Sequence, residues 1–200
     1  MIEEIIKSVG TPTYVFDIHC LKARIKEIED YFPKQILCYA MKANPFIVRE
    51  IAEDIARFEV CSFGEYKILE DLKVDPSKIV LSGVWKKQSE IEYLFEKNIE
   101  VGLFTVESKN QWKLLKELAQ KYERPISILL RLTSGNQFGM TKEEIISIFK
   151  EGSSWIHFRG IEYFSGTQKH NIKRIEKEMI EVSEFVSFLE KEESLSLEIE

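Results

Sequence analysis

Hydrophobic positions along the chain follow two patterns. After an opening extended segment, Thr13 to Phe16, stretches with an apolar residue every three to four positions alternate with short, almost continuously apolar runs. The first pattern is typical of amphipathic helices, and the second of strands buried on both faces. The predicted helices are the segment that Asp17 caps, which carries Leu21, Ile25 and Ile28, followed by Gln88 to Lys97, Glu107 to Lys121, Thr141 to Lys150 and Ile172 to Glu190.

Seven apolar runs are predicted to be strands. A β/α repeat closes at eight strands in a (β/α)8 barrel of the TIM type, whose active residues lie on the loops after the strands. We therefore predict one α/β domain over residues 1–200, an incomplete TIM-type barrel of about seven units that is truncated before its last strand or completed by a partner. The strands are Ile36 to Met41, Phe58 to Ser62, Lys78 to Ser82, Val101 to Phe104, Ile126 to Leu132, His157 to Phe164 and Leu195 to Ile199. An open doubly wound sheet is the alternative, but no glycine-rich dinucleotide turn follows the first strand.

Composition narrows the class of protein. The 200 residues are 44% hydrophobic, which suffices for one substantial core. The formal charge is −6 and the lysines are dispersed among glutamates, so a nucleic-acid surface is not expected, and partners are small molecules or proteins. The first residues lack a signal-peptide pattern and no apolar run approaches ~18 residues, which predicts a cytoplasmic protein without a membrane span.

The cysteines and histidines do not form a recognisable ligand set. Three cysteines are widely spaced without a CxxC pair, and the three histidines show no ligand spacing to them. We expect reduced thiols and no metal site.

The candidate chemistry centres on Lys42, in the run Tyr39-Ala40-Met41-Lys42-Ala43-Asn44-Pro45. A lysine at the carboxyl end of a buried strand is costly to desolvate, so its pKa is expected to fall, and the free amine can form an imine with a carbonyl compound. Without its surroundings, such a lysine is more often a surface residue.

The other strand ends supply suitable neighbours. Glu59 lies on the second strand and Arg131 on the fifth, where a buried guanidinium needs an acceptor. The sixth strand leads into Phe164, Gly166 and Thr167, a turn that suits an anionic phosphate. The simpler alternatives are a structural ion pair for Arg131, a plain turn for Gly166 and Thr167, and a solvated loop at Lys86-Lys87.

Five segments together resemble the ornithine/diaminopimelate decarboxylase family, pyridoxal-phosphate enzymes with an alanine-racemase-like barrel. The run Tyr39 to Asn44 resembles the family's cofactor-lysine motif, and the other four follow in family order over essentially the whole chain. They are Thr11 to Asp17, similar to its opening strand, Val60 to Glu65, similar to its second-strand turn, Gln137 to Met140, similar to its Ser-Lys-Phe-Gly segment, and Gly160 to Gln168, similar to its sixth strand and Gly-Ser-Gln turn.

The resemblance implies a role for each candidate residue. Lys42 would form the internal aldimine with pyridoxal 5'-phosphate, and Arg131 would lie near the cofactor. Gly166 and Thr167 would hold the phosphate, and Gln168 favours the diaminopimelate branch. The substrate would be a diamino acid, and the assembly a head-to-tail homodimer.

Several positions depart from the family pattern. Phe164 stands where the family has a histidine stacked on the cofactor ring, Glu59 where it has an aspartate, and Gln137 where it has a lysine. The family's phosphate loop after strand seven, its acidic partner of the pyridine nitrogen and its C-terminal β-domain would follow Glu200, so this chain alone is expected to be weakly active or inactive.

Three functions remain open on the sequence. The first is a pyridoxal-phosphate-dependent decarboxylase of a diaminopimelate, ornithine or lysine type of amino acid. The second is a non-catalytic cofactor-binding or regulatory relative, which Phe164 and the chain end suggest. The third is an amino-acid racemase or epimerase on the same barrel, since both reactions pass through a similar carbanion.

Overall fold

The computed structural model describes residues 2–167, 169–193 and 195–200, and its strands form one parallel sheet. The strands are β1 Cys38–Ala40, β2 Arg57–Val60, β3 Ile79–Leu81, β4 Leu103–Val106, β5 Ile126–Leu132, β6 Ile156–Tyr163 and β7 Glu198–Ile199. They lie in chain order from β1 to β7, each parallel to the next. A doubly wound sheet would reverse its strand order at a switch point, so the unreversed order confirms the incomplete TIM-type α/β barrel.

Helices connect the strands. They are α1 Ile2–Val9, α2 Ile18–Tyr31, α3 Val48–Ile51, α4 Phe63–Asp71, α5 Gln88–Glu96, α6 Lys109–Lys121, α7 Lys142–Glu151 and α8 Ile172–Glu193. Side-chain caps start several of them, and Thr141 forms a reciprocal capping box with Glu144 at the start of α7. Among the described residues, none of the helices has the length and hydropathy that crossing a bilayer requires.

The elements differ from the prediction at several points. The segment Thr13 to Phe16, predicted to be extended, pairs with no strand among the described residues, and Tyr14 in it is 95% exposed. Helices α1, α3 and α4 were not predicted. The predicted start of the sixth helix at Glu107 is also wrong, because the Ser108 side chain caps it and Glu107 turns inward.

The main core lies between the sheet and its helices. It includes fully buried side chains such as Phe58, Leu69, Leu94 and Leu115. A much smaller apolar cluster of Val80, Leu103 and Leu129 occupies the concave side of the sheet. The concave side also carries charged side chains, among them Glu59, Arg131 and Glu162.

Gly160 sets the approach of β6 to β7. Its Cα pairs with Glu198, and a Cβ on Gly160 would lie 1.9 Å from the Glu198 carbonyl oxygen. Backbone cannot move aside as a side chain does, so we expect Gly160→Ala to destabilise the fold by about 1–3 kcal/mol. Urea unfolding measures this, with Gly64→Ala in α4 as the matched control, since the only atom near its added Cβ is 3.8 Å away. Equal stability of the two variants would contradict the close β6–β7 packing.

Candidate functional site

The carboxyl ends of the strands bring a layer of inward-facing side chains to one level. In register, Ala40 pairs with Glu59, and Arg131 pairs with Glu162. These residues line a cavity of about 330 Å³, which we call the Lys42 cavity. Of the six predicted site residues, five line it, namely Lys42, Glu59, Arg131, Phe164 and Thr167.

The backbone around Lys42 is fixed by a change from strand to turn. β1 ends at Ala40, and Met41–Ala43 form a 3-10 turn anchored by the fully buried Met41. The Asn44 side chain then accepts from the Phe46 amide at 3.0 Å and caps a second 3-10 turn, and the Tyr39 hydroxyl donates to the Asn44 carbonyl at 2.9 Å. The end of β1, the 3-10 turn and the Asn44-Pro45 sequence therefore place Lys42 at the mouth of the cavity.

The Lys42 amine has three neighbours. Its Nζ lies 3.5 Å from Glu59 Oε2, 3.7 Å from Cys61 Sγ and 5.4 Å from the centre of the Phe164 ring. Burial lowers the pKa of Lys42, but the Glu59 carboxylate and the Cys61 thiol outweigh burial, so the pKa lies above its ordinary value. The expected fall in pKa is wrong, because the side chain remains half exposed and is paired with a carboxylate.

Glu59 is held in place from the opposite side. Its Oε1 accepts a hydrogen bond of 2.8 Å from Ser82 Oγ on the loop after β3. Two residues further, the Cys61 amide donates to Glu65 Oε2 at 2.6 Å, and the Ser62 side chain caps α4. The segment Val60 to Glu65 is thus a strand, turn and helix start that fixes a carboxylate beside Lys42.

Arg131 lies between two carboxylates. Its Nη1 donates to Glu107 Oε2 at 2.7 Å, and its Nε lies 3.5 Å from Glu162 Oε1. The Phe138 ring centre is 5.4 Å from its Cζ. The side chain is 13% exposed, so the expected need for a buried acceptor is met by protein carboxylates.

Glu162 and Thr105 were not among the predicted site residues. Both line the Lys42 cavity, with Glu162 8% exposed and Thr105 fully buried. Burial raises the pKa of Glu162 to about 7; Arg131 opposes this shift, and Glu107 adds to it. A carboxylate inside the apolar run of the sixth strand was the sequence signal that pointed to Glu162.

Lys86 is a second amine close to this cluster. It donates to the Gly83 carbonyl at 2.8 Å and to Gln111 Oε1 at 3.4 Å, and is partly buried. Burial lowers its pKa to about 8, although Glu107 and Glu162 favour its charged form. The prediction that Lys86-Lys87 is a solvated loop is therefore wrong for Lys86.

The turn after β6 forms one wall of the cavity. Phe164 and Thr167 line the cavity, while Gly166 between them is exposed and adopts a φ of +107°, which favours glycine. Ser165 Oγ donates to Glu178 Oε2 of α8 at 2.7 Å, and Lys169 bonds to both groups. These bonds fasten the turn to α8. The predicted Gln168 lies outside the described residues.

Comparison with known proteins gives matches over most of the chain. Residues 19–153 match the family described as "Pyridoxal-dependent decarboxylase, pyridoxal binding domain". Diaminopimelate decarboxylase of Aquifex aeolicus is 31% identical over 133 residues, which are 66% of this chain and 31% of that protein. The Zymomonas mobilis enzyme of the same name is 26% identical in an alignment that covers 94% of this chain and 50% of that protein. The chain spans half or less of the length of these two relatives.

Solved structures share the fold. Diaminopimelate decarboxylase from M. jannaschii has a TM-score of 0.82 and 24% identity, covering 98% of this chain and 51% of that one. Lysine/ornithine decarboxylase from Vibrio vulnificus, complexed with putrescine, has a TM-score of 0.81 and 20% identity, covering 98% of this chain and 53% of that one.

Proposed function

Because the chain belongs to the pyridoxal-dependent decarboxylase family and carries its pyridoxal binding domain, we propose that the Lys42 cavity binds pyridoxal 5'-phosphate covalently through Lys42. The observation that carries this proposal is the amine of Lys42 at the mouth of a 330 Å³ cavity, with an aromatic ring 5.4 Å away. The family predicted from the five motifs is confirmed.

The residues present fit the cofactor. An aldehyde needs an amine, which Lys42 supplies, and a planar ring needs a flat neighbour, which Phe164 supplies. A phosphate needs hydrogen-bond donors. Thr167 lines the cavity and offers its hydroxyl, and the neighbouring Gly166 offers an exposed backbone. Two buried polar atoms of the lining, Glu162 Oε2 and Thr105 Oγ1, make no hydrogen bond of good geometry among the described residues, although the Thr105 hydroxyl is close enough to Glu162 to oppose the rise of its pKa.

The chain's own residues would prepare the amine. Glu59 holds Lys42 over the cavity and is the nearest acceptor for the proton that Lys42 must lose before it attacks an aldehyde. Cofactors of this kind supply an electron sink for the carbanion left when carbon dioxide departs. Arg131, fixed by Glu107, keeps a positive charge at the cavity wall.

We propose decarboxylation of a diamino acid as the reaction, on the strength of the diaminopimelate decarboxylase relatives. The test is carbon dioxide release from meso-diaminopimelate, L-lysine and L-ornithine with pyridoxal phosphate present. Loss of optical activity from L-lysine or L-ornithine without gas release would support the racemase instead. The head-to-tail homodimer and the cytoplasmic location stay predictions.

A second candidate is a cofactor-binding relative without catalysis. Phe164 favours it, because a phenyl ring can stack but can neither donate nor accept a proton, unlike the family's histidine at this position. A trapped cofactor adduct with neither gas release nor racemisation would support this candidate.

Phe164→Ala tests the aromatic contact. Removing an aromatic neighbour worth about 0.5–1.5 kcal/mol should weaken pyridoxal phosphate binding by up to about tenfold. The dissociation constant is measured by absorbance titration, with Phe188→Ala as the control, since Phe188 on α8 is similarly exposed at 45% against 41%. Equal affinities for the two variants would show that Phe164 does not contact the ring.

A further inference from the structure

A second cavity lies on the concave side of the sheet, at the end of the strands opposite the Lys42 cavity. Its volume is about 180 Å³, and we call it the basic pocket. Its lining includes Arg57 and Leu103, the first residues of β2 and β4. Val80 lines both cavities and belongs with Leu103 to the small apolar cluster. This apolar layer therefore separates the basic pocket from the Lys42 cavity.

The charged side chains that line the basic pocket are all cations. Among the described residues they are Arg57, Lys78 and Arg159, and no carboxylate is part of the lining. Two carboxylates behind the lining already hold Arg57, since its Nη1 lies 2.7 Å from Glu200 Oε2 and its Nη2 lies 3.0 Å from Glu198 Oε2. The positive charge available to a ligand therefore comes from Lys78 and Arg159.

Arg159 lies at an irregularity of β6. Ile128 on β5 pairs with Phe158 and Leu129 pairs with Gly160, so Arg159 is an extra residue with no partner across the two strands. Bulges of this kind are common at barrel rims and beside binding sites, where they direct a side chain. Within the part of the chain that the structure describes, the guanidinium makes no hydrogen bond, ion pair or ring contact. Its five N–H donors are therefore available to a ligand.

Two further donors line the same pocket. Lys78 Nζ donates to the carbonyl oxygens of Ala52 at 2.9 Å and Ile55 at 3.1 Å, which fixes the ammonium and leaves its third N–H. Those acceptors are neutral, and the nearby Asp75 forms no ion pair with Lys78 within the described ranges. The hydroxyl of Ser127, on β5, makes no hydrogen bond to any described residue.

We propose that the basic pocket binds a phosphate group, held by Arg159, Lys78 and Ser127. A guanidinium bonds two phosphate oxygens at once, and an ammonium acts as a point charge beside them. Donors from three separate elements suit the several oxygens of a phosphate better than the two oxygens of a carboxylate. The pocket is smaller than the roughly 300–1,000 Å³ typical of sites for drug-sized ligands, so the ligand is a small anion or enters by its phosphate end.

Titration calorimetry with inorganic phosphate, at constant ionic strength, tests the proposal. Arg159→Gln should bind phosphate about tenfold to a hundredfold more weakly than the wild type, the range for hydrogen bonds to a charged group. Ser127→Ala should bind it more weakly by up to about tenfold, and it decides the question if Arg159→Gln does not fold. Arg49→Gln is the matched control, because it removes one exposed arginine from α3 and so the same charge, and its affinity should equal that of the wild type.

Two other anions identify the ligand. Ethyl phosphate carries the same group with one oxygen blocked. If the pocket takes the end of an organic phosphate, ethyl phosphate binds about as tightly as phosphate, and if it takes the free ion, ethyl phosphate binds more weakly. Either result supports the site when Arg159→Gln removes it, whereas acetate that binds as tightly as phosphate overturns the assignment to a phosphate.

The remaining outcomes are equally definite. No saturable binding of phosphate to the wild type, or equal affinities for the wild type and Arg159→Gln, overturns the proposal, as does an equal loss in Arg49→Gln. The Lys42 cavity is the competing site for phosphate, so Thr167→Val is measured as well. Binding that is lost in Thr167→Val and kept in Arg159→Gln would place the phosphate in the Lys42 cavity and overturn the basic pocket. The proposed function is tested separately, by adduct formation on Lys42.

Discussion

Arg131→Met will lower the free energy of unfolding by about 3–5 kcal/mol at pH 8, the cost of removing one partner from a buried ion pair. Arg131 is 13% exposed, and its partner Glu107 is 3% exposed, so water cannot replace the lost guanidinium. Glu107 and Glu162 would then face each other as buried carboxylates with their principal cation removed. Urea unfolding followed by circular dichroism measures the loss.

The pH dependence of this loss has a definite sign. The pKa of Glu162 is already about 7 in the folded chain, above its ordinary 4.5, and removing Arg131 raises it further. A group with a raised folded pKa stabilises the fold below its unfolded pKa and loses that contribution as the pH rises through its folded pKa. The variant should therefore be least destabilised near pH 5 and most destabilised at pH 8.

Two comparisons make the Arg131 prediction specific. Arg49→Met, at an exposed position in α3, should leave stability within about 0.5 kcal/mol of the wild type. Adding Glu107→Gln to Arg131→Met should restore part of the loss, because one buried charge is removed. A stability of Arg131→Met equal to the wild type at pH 8 would contradict the buried pair.

Lys42→Arg should abolish covalent attachment of pyridoxal phosphate. Arginine keeps the positive charge beside Glu59, but its guanidinium stays protonated at any pH the fold tolerates and cannot attack an aldehyde. We expect the absorbance band of the imine and the mass increase after borohydride reduction to disappear, while the fold is retained. Mass spectrometry of the intact chain measures this.

Lys87→Arg is the matched control for Lys42→Arg. Lys87 lies on the exposed loop before α5, where it is 3.6 Å from Glu90, and does not line the cavity. The control should give the same adduct as the wild type. A full yield of adduct from Lys42→Arg would place the imine on another amine.

The strands could be predicted well because the signal for each strand lies in its own residues. The β5 boundaries, Ile126 to Leu132, agree with the structure, and the apolar run carries them without help from the rest of the chain. β1 is shorter than predicted, because Met41 is apolar but belongs to the 3-10 turn that holds Lys42. The segment Thr13 to Phe16 shows the limit of the approach, since an extended pattern does not reveal whether a pairing strand is present.

The polar interior could not be predicted in the same way. Arg131 and Glu162 are 31 positions apart in the chain and meet only because β5 and β6 pair in that register. Lys86 has no clear local signal either, since only the fold brings Gln111, 25 positions away, to its amine. Lys42, by contrast, lies in a run whose turn residues fix its position locally, and the sequence indicated it directly.

The central claim is that Lys42 is the amine that binds the cofactor, and peptide mapping of the borohydride-reduced chain tests it directly. Lys86 is the competing amine, because its pKa of about 8 leaves more free base near neutral pH than a lysine with a raised pKa. Lys86, however, is bonded to Gly83 and Gln111 and does not line the cavity. We predict that the reduced pyridoxal adduct maps to the peptide containing Lys42, and an adduct on Lys86 with Lys42 unmodified would contradict the account.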